Sequence, residues 1–147
     1  MTRDQKTYRM AYWLASLIVA GVMLSGYYKI LRPADFALSV YRFHLLPDVA
    51  VNLTALYLPW IETVCALCLI FVPRYRVAAL WIALLLLVLF TGGIAINLMR
   101  GSAFGCGCFG SAPDAAPMSG LSIARNLALM ALVGLALLSR KRAWARP

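Results

Sequence analysis

Four stretches of this chain stay apolar for about twenty residues each, and that length decides what the chain can fold into. They run from about Ala11 to Ile30, Val51 to Val72, Val77 to Leu98 and Leu121 to Leu138. A helix needs roughly 20 residues to cross a hydrocarbon core. Within that core each segment must satisfy its own backbone polar groups, so a span of this kind is helical. The expectation is an all-α membrane protein, a four-transmembrane-helix bundle forming a single integral membrane domain over residues 1–147. Composition agrees: charged residues make up 13% of the chain, where a soluble domain carries roughly a quarter. The first stretch follows a basic N-terminus in the manner of a signal peptide. Its apolar run is too long for one, and no small-x-small cleavage site follows Tyr27-Tyr28-Lys29, so it is read as retained.

The formal net charge is +9, yet the basic residues sit at the ends of the apolar stretches rather than in one patch. They read as topology signals and not as a nucleic-acid surface. With four spans, one side holds Arg3, Lys6, Arg9, Arg74, Arg76, Arg140, Lys141, Arg142 and Arg146, and the other holds Lys29, Arg32, Arg42, Arg100 and Arg125. The positive-inside rule places the richer side, with both termini, in the cytoplasm. Trp144 in the last segment is an interfacial anchor. The loops Leu31–Ala50 and Met99–Gly120 then face outward, into the periplasm of a bacterium whose inner membrane holds the chain.

The first outer loop carries a pattern of its own. Pro33 and Pro47 bracket Ala34–Leu46, with Phe36, Val40 and Phe43 at helical spacing. This predicts a short amphipathic helix lying over the bundle mouth. His44 within it is either an acid–base group, since its proton titrates near neutrality, or an interfacial polar residue.

The second outer loop holds the chemistry. Gly105-Cys106-Gly107-Cys108-Phe109-Gly110 puts two cysteines one glycine apart. A disulfide between them closes a small, strained ring, and strained exposed disulfides are more often redox-active than structural. An oxidising compartment is where such a bond forms and persists. Zinc wants four ligands, and this face offers two cysteines and His44, so one chain cannot close that site. Copper, which needs fewer ligands, is the remaining metal alternative; no metal is assigned. A second pair, Cys65-Ala66-Leu67-Cys68, lies some 14 residues into the second span, at roughly 20 Å of depth. It is either two small hydrophobes in helix packing or a second redox pair.

Glu62 lies near the middle of the same span, just after Leu58-Pro59-Trp60. An acid inside a membrane is costly and marks a functional position by default. Its candidate partners are Asn97, Arg125 and Asn126, and its alternative roles are a packing hydrogen bond or a proton or quinone-headgroup site. Pro59 loosens the local backbone, and Trp60, Trp81 and Tyr57 are the aromatic residues placed to line such a pocket. Gly21, Ser25, Gly92 and Gly93 suit close helix approach. The chain holds no Rossmann fingerprint, P-loop or Ser/His/Asp arrangement.

These residues together resemble a known family. Lys29-Ile30-Leu31-Arg32-Pro33-Ala34-Asp35-Phe36-Ala37, Tyr41-Arg42-Phe43-His44-Leu45-Leu46-Pro47, Leu58-Pro59-Trp60-Ile61-Glu62, Ala95-Ile96-Asn97-Leu98, Cys106-Gly107-Cys108-Phe109-Gly110 and Arg125-Asn126 follow one another as in the DoxX-like four-span membrane proteins. The similarity is strongest to the methylamine-utilisation (MauE) branch. The resemblance covers nearly the whole chain, and Cys-Gly-Cys-Phe-Gly is its most specific part. It implies a redox-associated inner-membrane protein that supports disulfide formation or isomerisation in the methylamine dehydrogenase small subunit. That small subunit is disulfide-rich, periplasmic and carries a tryptophan-derived quinone. A thioredoxin-like partner and a membrane quinone are the implied associates. Cys65 and Cys68 are not part of the family's usual pattern. The rival readings are a non-enzymatic assembly or transport factor for a periplasmic client, and a quinone-linked electron-transfer subunit.

Overall fold

A computed structural model describes residues 3–24, 26–101 and 120–144. Cys106 and Cys108 lie outside the described residues, as does Ser25. The described residues form six helices and no strand: α1 Arg3–Leu24, α2 Tyr27–Leu31, α3 Pro33–Arg42, α4 Asp48–Phe71, α5 Arg76–Met99 and α6 Gly120–Trp144. Four segments are long and apolar enough to cross a membrane: Arg3–Leu31, Asp48–Phe71, Arg76–Met99 and Gly120–Arg142. The expected four-span helical membrane protein is therefore what the chain forms.

The spans run alternately up and down. Helix α1 packs against α6 and α4, and α5 packs against the same two, so the order around the bundle is α1, α4, α5, α6. The short connection between α4 and α5, residues 72–75, makes those two antiparallel neighbours. Large apolar side chains such as Leu17, Leu53, Val64, Leu85 and Leu135 point outward, as a lipid solvent permits. Two ends can be told apart. The terminal end carries the Pro73–Tyr75 turn, the start of α1 and the end of α6. The loop end carries residues 32–47 and the ends of α5 and α6 that lead into 102–119.

The terminal half is packed on small side chains. Ala15, Ala20, Ala79, Ala83 and Ala136 meet Tyr12, Val19, Cys65, Leu69, Leu80 and Val133 in one buried cluster. Small residues let helix backbones approach closely where lipid provides no hydrophobic drive. Helix α4 ends beside this cluster on a buried cation. The Arg76 Nε donates to the Leu69 carbonyl at 2.8 Å, and its guanidinium lies 3.5 Å from the centroid of the Trp13 ring. The first contact satisfies a carbonyl that the helix end would otherwise leave bare, and the second meets the cation with an aromatic face. Next to it, Arg142 Nη1 donates to the Tyr8 hydroxyl at 3.5 Å, tying α6 to α1.

Helix α4 continues through Pro59, where the Thr63 hydroxyl donates to the Pro59 carbonyl at 2.8 Å. The amphipathic helix of the first loop is present but shorter than the sequence pattern suggests. It ends at Arg42, and His44 takes a left-handed backbone conformation with φ 48°. Pro47 then starts α4 from an extended conformation with ψ 152°. Rather than roofing all four spans, α3 packs against α4 and α2, with Phe36 buried.

The small residues expected to mediate close approach divide. A Cβ added at Gly21 or Gly92 would meet nothing within 4 Å, so neither is at a helix contact. At Gly93 it would come within 3.3 Å of the Phe43 ring, which rests on that glycine.

Candidate functional site

The intramembrane acid finds a partner the sequence reading passed over. Lys29 Nζ donates to both carboxylate oxygens of Glu62, at 3.1 Å to Oε1 and 2.9 Å to Oε2. Lys29 is 2% exposed and Glu62 7%. The bidentate geometry neutralises both charges in the one place where neither can be hydrated. Two of the expected partners of Glu62, Asn97 and Asn126, bond elsewhere. Asn97 Nδ2 donates to the Gly93 carbonyl one turn back in its own helix, at 3.0 Å. Asn126 Nδ2 donates to the Thr91 hydroxyl at 3.2 Å, and that hydroxyl donates to the Leu87 carbonyl at 2.6 Å. Arg125 is half-buried at the adjacent position of α6.

The local fold explains why Lys29 turns inward. Helix α2 follows α1 after a turn at Gly26, and it buries Lys29 while leaving Tyr27 and Tyr28 exposed. Gly26 lies three residues before Lys29, on the same face of the chain. A Cβ there would sit 2.6 Å from Glu62 Oε2. Only a residue with no side chain leaves the carboxylate that space. The sequence signal was available: an acid within a span needs a cation, and Lys29 is the lysine within reach of an apolar stretch. It was passed over because a lysine at a span end ordinarily snorkels to the interface.

The ammonium is met from two more directions. It lies 5.0 Å from the Phe36 ring centroid of α3 and 5.2 Å from that of Phe90 in α5. An ammonium has three donors; two go to Glu62, and aromatic faces meet the rest of the charge. A cavity of about 60 Å³ adjoins the pair, lined by Lys29, Glu62 and Asn126 among apolar residues of α1, α5 and α6. That is space for about one or two waters, with three polar side chains to hold them. A larger cavity of about 360 Å³ lies between α3, α4 and α5, with Phe36, Phe43, Leu58, Leu89 and Phe90 in its wall. Phe36 and Phe90 are the two rings on which the ammonium rests, so charge and cavity share a wall.

Other expected site residues lie apart. Trp60 is 54% exposed and lines neither cavity. It stands two positions from Glu62, which on a helix is close to the opposite face. Tyr57 and Trp81 also point outward. The aromatic lining instead comes from phenylalanines of α3 and α5. Cys65 and Cys68 are free thiols: Cys65 is buried in the small-residue core, and Cys68 is packed against it. His44 is exposed at the loop end, with its ring 5.5 Å from that of Tyr41. Among the described residues no group of three or more His, Cys, Asp or Glu side chains is placed to hold a metal ion.

Comparison with known proteins agrees with the motif order. Residues 8–139 match the family model of the methylamine utilisation protein MauE. A methylamine utilization protein MauE from Paracoccus denitrificans is 37% identical over 125 residues, which is 84% of this chain and 66% of the relative. One from Methylophilus methylotrophus is 38% identical over 125 residues, or 84% of this chain and 64% of the relative. The match thus spans slightly less than two thirds of the length of these curated relatives. No solved structure gives a significant match. The chain belongs to the MauE family, and it is a multi-pass membrane protein.

Proposed function

We propose that the protein carries out thiol–disulfide exchange for a periplasmic client from the inner membrane, with Cys106 and Cys108 as the exchanging pair. The client class is a disulfide-rich periplasmic protein, with the methylamine dehydrogenase small subunit as its first candidate. A thioredoxin-like protein is the candidate intermediary. The observation that carries the reading is the buried Lys29–Glu62 pair. Intramembrane charge is expensive and is kept where it does chemistry. This pair lies in the half of the bundle from which α5 and α6 lead into the segment holding both cysteines. Orientation follows the same logic. With Arg76 and Lys29 both buried, eight cations remain at the terminal end and four at the loop end, which favours cytoplasmic termini.

In the forward step a client thiolate attacks the Cys106–Cys108 disulfide. A client–protein S–S bond forms, the intramolecular bond breaks, and one cysteine leaves as thiolate. A second client thiolate displaces the first linkage, so the client leaves oxidised and Cys106 and Cys108 are left as two thiols. Two electrons and two protons must then leave the pair, to a membrane quinone or a soluble disulfide partner. Glu62, buried within the membrane beside a small cavity that Lys29 and Asn126 also line, is the candidate proton-relay group.

The test is a Cys106→Ala, Cys108→Ala double variant assayed for client disulfides by alkylation and mass spectrometry in cells. The expected result is a client that accumulates as thiols while the variant is inserted at normal levels. Full client oxidation with the variant would overturn the reading and favour a non-enzymatic assembly factor.

A further inference from the structure

We infer that the cavity between α3, α4 and α5 binds the ring of a lipid-soluble benzoquinone, the electron acceptor of the exchange proposed above, on which this inference rests for its electron donor. Its volume of about 360 Å³ falls in the range of small-molecule sites, roughly 300–1,000 Å³. Its wall is apolar apart from the Ser39 and Thr54 side chains. Leu89, 63% exposed, and Leu46 stand at its lipid-facing side. An occupant therefore enters from the bilayer and is itself apolar.

Three features select a quinone ring over an acyl chain. Phe36 and Phe90 offer aromatic faces for stacking. The Lys29 ammonium lies 5.0 and 5.2 Å from the centroids of these two rings and is paired with Glu62. A cation thus stands against two residues of the cavity wall, which favours a ligand that gains electrons. An acyl chain gains nothing from that charge. The Thr54 hydroxyl is a polar group on the wall with the capacity to donate to a ring carbonyl. In the overall step two thiols lose two electrons and two protons and form one S–S bond, and the quinone is reduced to its hydroquinone.

The experiment uses the full chain in nanodiscs of phosphatidylcholine with a short-chain benzoquinone and its photoreactive azido analogue. Crosslinks are expected on α3 and α5 around Phe43, Leu89 and Gly93. Leu89→Trp at the mouth and Gly93→Leu inside are expected to weaken quinone binding by about tenfold or more, with helix content unchanged by circular dichroism. Reoxidation of the Cys106–Cys108 thiols should slow with quinone and remain unchanged with oxidised glutathione. Crosslinks confined to other helices would overturn the inference. So would affinity unchanged in both variants, or a cavity that retains only phospholipid. If instead the cysteine double variant still oxidises its client, the exchange reading falls, while quinone affinity in the wild type and the two cavity variants still reports on this site.

Discussion

Among the described residues each half of the bundle buries one cation, and the two are satisfied in opposite ways. At the terminal end Arg76 spends its guanidinium on the Leu69 carbonyl and the Trp13 ring, within a core of alanines. The Tyr12 ring also stands 5.8 Å from the guanidinium, within the same packed core, and the arrangement closes a helix end. At the loop end Lys29 spends its ammonium on a carboxylate from another helix, a small cavity adjoins the pair, and a larger one shares the Phe36 and Phe90 rings that flank it. The first arrangement uses a charge to finish the fold. The second keeps a buried carboxylate–ammonium pair beside a small cavity, where packing alone would have been easier to achieve. Burial of a charge thus says little by itself, and the partner and the neighbouring volume separate scaffold from site.

The sharpest way to break this contrast is to remove one member of each arrangement. Glu62→Leu leaves a lysine buried without its counter-charge, and should destabilise the protein by about 3–5 kcal/mol in denaturant unfolding from bicelles. Adding Lys29→Met should restore most of that loss while leaving quinone-dependent reoxidation impaired. If the double variant is as unstable as the single, the ion pair is not the source of the effect. Arg76→Met should cost less, about 1–3 kcal/mol for the lost hydrogen bond at the α4 terminus, and should leave reoxidation of the cysteines unchanged. A loss of reoxidation there would erase the distinction between the halves. The smallest effect separates two glycines one turn and a half apart. Gly26→Ala should destabilise by about 1 kcal/mol because its Cβ would crowd Glu62, whereas Gly21→Ala should be neutral or stabilising by up to about 1 kcal/mol. Equal effects on unfolding would show that the carboxylate does not need the space at Gly26.

The sequence was legible wherever lipid sets the rule. Span number, span position and the amphipathic α3 follow from apolar length and spacing, because the hydrocarbon core leaves the backbone few options. Glu62 stood out for the same reason. Its partner did not, because Lys29 occupies a position where lysines ordinarily reach for the interface, and only the turn at Gly26 brings it inward. Trp60 was read into the pocket from proximity in sequence, whereas two steps along a helix turn a side chain almost to the far face. Cavities are harder still. The space between α3 and α5 depends on how Phe43 settles on Gly93, fifty residues away in the chain, and no local pattern records that contact.

The ion pair also bears on how the chain is made. Lys29 and Glu62 are 33 residues apart, so the lysine leaves the ribosome well before its acid does. During synthesis the end of the first span holds an unmatched charge that is costly to leave in lipid. Settling of that end is thereby tied to arrival of α4, and the first two spans mature as a hairpin rather than one at a time.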